Sequence, residues 1–224
     1  MEAWIYVLFI VGAIAVAILS FYLKAKRRKE FAAFAAAHGL RYSQDDPFGL
    51  VRWPFRLFSR GEGRGIENVV WGTWQGHEIV AYDYWYYERT TDSKGRSHRA
   101  YYRFCCAQVD VPAAFPVLEL RREGFFTRMA DFVGLDDIDF ELEDFNRRWN
   151  VKAENRRFAY ELVDARMIRW LVSLEQKVSF EVVGSRILAY TKKAPPSELI
   201  PLIGALATFR QRIPRVAWGL YPAS

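Results

Sequence analysis

Hydrophobic and polar positions follow three different periods along this chain. From Ala3 to Leu23 the run AWIYVLFIVGAIAVAILSFYL holds 21 residues without a charged side chain, and Lys24, Lys26, Arg27, Arg28 and Lys29 follow at once. At about 1.5 Å per residue, a helix of that length spans roughly 30 Å, the thickness of a bilayer's hydrocarbon core. Helical spacing continues past the basic cluster, with Phe31, Phe34 and His38 at i, i+3 and i+7 and Gly39 as the C-terminal cap. The anchor is therefore expected to run into a short stalk helix whose phenylalanine face docks on the rest of the protein.

The period then switches to two. A short strand at Leu40–Tyr42 precedes an irregular stretch rich in proline and glycine, in which Gly61, Gly63 and Gly65 read as a turn. Ile66–Trp74 and Glu78–Glu88 flank Gln75-Gly76 as a hairpin, and a polar loop leads to a third strand, Tyr101–Val111. Pro116–Leu120 is read as a fourth strand. A mixed half follows: a helix at Arg121–Phe132, short strands at Asp136–Glu141 and Trp149–Ala153, and a helix from Arg156 to Leu174. Val178–Val183 and Ile187–Thr191 read as a second hairpin around Gly184-Ser185, and a last helix starts with Ser197 as N-cap and stops at Pro214. The fold class is α+β: a transmembrane helix over 1–23, a basic stalk helix over 24–39, and an α+β domain with an antiparallel meander sheet over 40–224.

Polarity orients the span. A cleaved signal peptide carries its positive charge before the apolar run, whereas here Glu2 precedes it and the lysines and arginines follow. The positive-inside bias puts the N-terminus outside and the C-terminal domain in the cytoplasm, a single-pass protein of the cell membrane. Lys24, Lys26, Arg27, Arg28 and Lys29 are also candidates for contact with anionic lipid head groups.

The net charge of +6 is half a juxtamembrane effect. Residues 1–30 hold five basic and two acidic groups, +3, which leaves +3 for the remainder. That balance, together with an anchor, argues against nucleic acid as a partner. The two cysteines, Cys105 and Cys106, are adjacent and point to opposite faces of a strand, so no disulfide framework exists, in line with a reducing compartment.

The residues VWGTWQGHEIVAYDYWY, DFELEDFNRRWNVKA and RRFAYELVDARMIRWL resemble a family of single-span, membrane-anchored bacterial proteins of actinobacterial type, of unknown function. Tyr82-Asp83-Tyr84 stands where that family more often has Phe-Asp-Tyr. The resemblance covers most of residues 1–213 and implies architecture and location; it supplies no catalytic residue.

Chemistry is sparse. His38, His77 and His98 show no metal-ligand spacing, the cysteines form no CxxC pair, and no nucleophile elbow occurs. No cofactor, no metal and no catalysis are expected. The carboxylates between Asp131 and Asp144 read as a solvated acidic face paired with Arg147, Arg148 and Arg157, with Asn146 capping local backbone. The most suggestive surface is aromatic: Tyr82, Tyr84 and Tyr86 share one face of a strand, and Asp83 and Trp85 lie on the other. Tyr82, Tyr84, Trp85 and Tyr86 are the candidate partner or ligand surface, and Asp83 needs a cationic partner, with Arg103 the candidate. The chain thus reads as a non-enzymatic protein-interaction or scaffold module at the inner face of a membrane, its protein partner unknown. The alternative is a module binding a small apolar or lipid-like ligand in its aromatic sheet.

Overall fold

The structure, a computed structural model, describes residues 2–92, 95–124 and 135–223. Helix α1 (Glu2–Ala37) is continuous from the apolar run into the stalk. A Schellman motif ends it. Gly39 takes φ 66°, and the Leu40 amide donates to the Ala35 carbonyl at 2.8 Å. Along the stalk Phe31, Phe34 and Ala35 are buried, whereas the apolar side chains nearer the N-terminus stand exposed. The segment from Tyr6 is long and apolar enough to cross a membrane.

Among the described residues seven antiparallel strands form the sheet: β1 (Arg41–Asp45), β2 (Gly63–Trp74), β3 (His77–Thr91), β4 (Ser97–Arg122), β5 (Asp136–Asp137), β6 (Trp149–Ala153) and β7 (Ser179–Lys192). Gln75 and Gly76 both take positive φ, 48° and 81°, as the tight turn between β2 and β3 demands. Strand β4 is the spine. One of its edges pairs with β3 up to Val109 and with β6 from Leu118, while the other carries β7 between Phe104 and Leu120. Its register with β7 is interrupted between Asp110 and Leu118, where Pro112, which has no amide to donate, is tolerated.

Several sequence expectations change here. Pro116–Leu120 is the end of β4, not a fourth strand. The expected Val178–Thr191 hairpin is one strand, because Gly184 (φ 58°) serves an irregularity that lets β7 follow the course of β4. The expected helix from Arg156 to Leu174 is two, α3 (Arg156–Leu162) and α4 (Ala165–Ser173), since Asp164 caps the second by accepting from the Arg166 and Met167 amides at 2.9 and 2.8 Å. Ser197 lies in a short 3-10 turn rather than capping α5 (Leu199–Arg212). Arg121 and Arg122 close β4, and residues 125–132 of the expected helix lie outside the described residues. Asp136–Glu141 shrinks to the two-residue β5. Asn146 does hold local backbone, accepting from the Phe140 amide and donating to its carbonyl at 3.1 and 2.7 Å.

Both faces of the sheet are covered. The stalk end of α1 and helix α5 pack over Val70, Ile79, Ala81, Cys105 and Ala107. On the opposite face, residues 50–58 lie over Tyr82, Tyr84, Tyr86, Phe104 and Tyr190, with Leu50, Phe55, Leu57 and Phe58 buried. A carboxylate pins that segment down. Glu181, wholly inside, accepts from the Arg56 and Leu57 amides at 2.7 and 2.9 Å. Glu119 stands opposite it in register and is ion-paired to Arg121 at 3.2 Å. Burial, reinforced by the Glu119 charge, pushes the Glu181 carboxyl up to about 8.

Candidate functional site

The helical stripe that buries Phe31 and Phe34 reaches back one turn to Arg27, and then to Lys24, Leu23 and Ser20. Arg27 meets Asp83 of β3 with both forks of its guanidinium: Nε donates to Oδ2 and Nη2 to Oδ1, each at 2.6 Å. Little of either side chain is exposed, 13% and 10%. The same Nη2 donates to the Ala194 carbonyl at 2.9 Å, and the guanidinium lies 5.1 Å from the centre of the Phe31 ring. A lysine could not make this fork.

Asp83 has a second donor. Between Glu67 and Val70 the register of β2 with β3 shifts, and Asn68 there takes φ 57°, a left-handed conformation that asparagine tolerates better than most residues. Its Nδ2 donates to Asp83 Oδ2 at 2.9 Å, and its Oδ1 accepts from the Tyr42 hydroxyl at 3.1 Å. Cys105 Sγ lies beside the carboxylate, at 3.6 Å from Oδ1. Burial, and then the Asp83 charge, push its thiol up to about 11, so it stays protonated and unreactive at neutral pH.

Next to this lock a cavity of about 190 Å³ opens between the helix and the sheet. Lys24, Arg27, Arg28, Arg103 and Lys193 line it together with Glu67 and Asp83, five basic groups against two acidic, and Ser20, Leu23, Asn68, Tyr84, Trp85 and Phe104 complete the wall. Arg103 is ion-paired to Glu67 at 3.3 Å rather than to Asp83, which corrects the expected pairing: the bidentate fork of Arg27 already occupies the carboxylate. Among the described residues no hydrogen bond or ion pair engages the side chains of Lys24, Arg28 or Lys193. Burial, followed by the nearby Arg27 charge, holds the Lys193 ammonium below the ordinary lysine range. The cavity is smaller than the roughly 300–1,000 Å³ of a drug-sized ligand site. It suits a polar head, not an acyl chain.

Of the residues expected to meet head groups, Lys24 and Arg28 face the cavity, and Arg27 is taken by Asp83. Lys26 is turned to Glu30 at 3.9 Å, and Lys29 is exposed away from the lining. The aromatic candidates divide. Tyr82, Tyr84 and Tyr86 are interior side chains, not a surface, because residues 50–58 cover them; Tyr82 donates to Gln108 Oε1 at 2.9 Å and Tyr84 to the Leu57 carbonyl at 3.1 Å. Trp85, on the helix face, reaches the cavity. His77 lies elsewhere, 3.4 Å from Arg210, so no histidine joins Asp83. Sequence reasoning placed Arg27 only in a charge cluster; its i, i+4 spacing to Phe31 was the signal that it belongs to the docked face. For Lys193, far along the chain, no signal existed.

This architecture has a solved counterpart. The crystal structure of the mycobacterial trehalose monomycolate transport factor A, TtfA, is similar to this chain at a TM-score of 0.63, covering 88% of this chain and 97% of that one. Sequence identity is 13%, so the likeness is one of fold. Neither a family model nor a curated protein matches the chain. The mycobacterial origin of TtfA agrees with the actinobacterial type of the resemblance drawn from the sequence.

Proposed function

We propose that this protein is a non-catalytic, membrane-anchored module that holds the polar head of an anionic lipid in the cavity beside Arg27, on the cytoplasmic side of the membrane. One observation carries the reading: three basic side chains, Lys24, Arg28 and Lys193, converge where the apolar run of α1 ends, and among the described residues no ion pair engages them. Anionic head groups lie at that depth of a bilayer. Length and composition of α1 would also fit a signal sequence. Retention is supported by Arg27 and Phe31, which are built into the domain and leave no severable linker between span and sheet. Cytoplasmic placement is supported by the basic cluster at the C-terminal end of the span and by two free thiols. A lipid-related role is supported by the likeness to TtfA, a trehalose monomycolate transport factor. A scaffold role resting on Tyr82, Tyr84 and Tyr86 as an open surface is weakened, since residues 50–58 cover them.

The test is retention of lipid by the full chain in mild detergent, read by native mass spectrometry with phosphatidylglycerol and phosphatidylcholine in competition. One phosphatidylglycerol per chain is expected to survive in preference. Each basic group near a membrane surface is worth about 1 kcal/mol, so joint Lys24→Ala, Arg28→Ala and Lys193→Ala substitution is expected to weaken retention roughly a hundredfold. Equal retention of the two lipids, or no effect of the triple variant, would sink the reading.

A further inference from the structure

Strands β3 and β4 continue beyond the sheet as an arm. Pairing of β2 with β3 ends at Gly63 opposite Tyr87, and pairing of β7 with β4 ends at Lys192 opposite Phe104. From Glu88 opposite Ala100 to Thr91 opposite Ser97 the two strands, among the described residues, have only each other as pairing strands. The direction of this arm is set by α1, which runs antiparallel to β3. Phe31 shares a cluster with Ile79 and Ala81, Arg27 grips Asp83, and Leu23 and Ser20 face Trp85 across the cavity. Four residues of helix advance about 6 Å and two of strand about 7 Å, so the elements keep step. Trp85 is therefore level with the end of the apolar run, and residues beyond it extend toward the membrane side.

The side chains on that part of the arm form an aromatic shelf. Trp85 and Tyr87 alternate on the α1 face of β3, and the Tyr101 ring lies between them at 5.9 and 5.5 Å. Gly65 and Gly63 stand opposite Trp85 and Tyr87 in β2. A Cβ at Gly65 would come within 2.8 Å of the Trp85 ring, and one at Gly63 would strike the Tyr87 ring. The glycines that resembled a turn motif thus let two aromatic rings lie down on bare backbone. Arg99 stacks at 4.7 Å on Tyr87 and Arg103 at 5.8 Å on Tyr101. Tyr101 is 50% exposed. Residues 85–103 carry five basic side chains (Arg89, Lys94, Arg96, Arg99, Arg103) and two acidic (Glu88, Asp92); Glu62 and Glu67 ion-pair with Arg89 and Arg103 at 3.0 and 3.3 Å, which leaves a surplus of one.

We propose that this shelf is a second membrane contact, seated in the head-group layer of an anionic bilayer beside the point where α1 enters it. Amphipathic tyrosine and tryptophan rings favour that layer, and the arginines match its charge. Arg89 and Arg99 are too costly to place in hydrocarbon, so beyond Trp85 the arm lies along the head-group layer and does not follow α1 inward. With one contact the domain could swivel about α1; with two, its orientation on the bilayer is set. This inference requires α1 in a membrane but does not require a lipid in the cavity.

The experiment uses the full chain in nanodiscs of phosphatidylcholine mixed with phosphatidylglycerol, with Tyr101→Cys carrying an environment-sensitive NBD label. Buried Cys105 and Cys106 are checked as unreactive in the parent chain. A blue-shifted emission, quenched at least about twofold by lipid nitroxides near the head group and little by aqueous iodide, is expected. A label at exposed Ser173→Cys on α4 serves as the aqueous reference. Arg89→Glu with Arg99→Glu should cut the lipid quenching at Tyr101→Cys by about half or more. The Lys24, Arg28 and Lys193 triple alanine variant should leave it unchanged, which separates this contact from the cavity. A Tyr101→Cys label that behaves like the Ser173→Cys label, or a chain that does not enter nanodiscs, would overturn the proposal.

Discussion

Replacing Asp83 by alanine is expected to cost about 3–5 kcal/mol of stability, the usual penalty for stranding one partner of a buried ion pair. The guanidinium of Arg27 would keep its buried position beside Phe31 without an anion, and the Asn68 amide and the Cys105 thiol would lose their shared acceptor. For a domain of this size, thermal midpoints fall by about 2–4 °C per kcal/mol, so a drop on the order of 10 °C is expected in tryptophan-monitored melting of the full chain in detergent. Arg27→Ala should fall similarly. Joint Arg27→Met and Asp83→Leu substitution should recover much of the loss, because apolar groups of similar volume often replace a buried pair without penalty. The cavity would suffer in either single variant, since Arg27 holds its helical wall against its sheet wall. A loss below about 1 kcal/mol for Asp83→Ala would show that the pair contributes no more than an exposed one.

The second large effect concerns pH. Folding raises the Glu181 carboxyl from its ordinary 4.5 to about 8, so between those values the folded protein holds a proton that the unfolded chain has released. Stability from this group is therefore full below about 4.5 and falls as pH rises toward about 8, by up to about 1.4 kcal/mol for each pH unit crossed. Burial moves Glu119 in the same direction. Glu181→Gln removes the charge and keeps an acceptor for one of the Arg56 and Leu57 amides. The parent chain should lose stability relative to Glu181→Gln as pH rises from 5 toward 8, and the variant should be the more stable of the two at pH 8. Denaturant midpoints across that range measure the difference. Parallel curves for the two proteins would refute a raised Glu181.

How much of this was legible beforehand depended on the range of the interaction. The hairpin at Gln75-Gly76 was readable because its turn lies within two residues, and the helix stop at Gly39 because the cap is local. Gly184-Ser185 misled for the same reason. A glycine with positive φ serves a tight turn and a strand irregularity alike, and only the partner β4 decides between them. The apolar spacing from Phe158 to Leu174 likewise runs through the break at Asp164, since periodicity records a buried face and not the continuity of a helix. Gly61, Gly63 and Gly65 looked like a turn because nothing nearby reveals that the rings of Tyr87 and Trp85 lie against two of them.

By itself, the sequence determined that a long uncharged helix stands at the N-terminus, that a basic cluster closes it, and that an aromatic α+β domain follows without a flexible linker. Those features depend on composition and on spacings of a few residues. Which side chain answers Asp83 was a matter of tertiary structure: Arg27, 56 positions away, reached it ahead of Arg103 on the neighbouring strand. The same is true of the covering of Tyr82, Tyr84 and Tyr86 and of the meeting of Lys24, Arg28 and Lys193 around one cavity. Strand alternation names two faces but cannot say which element will lie on each. That choice is made when residues distant in the chain compete to bury the same surface and to neutralise the same charge.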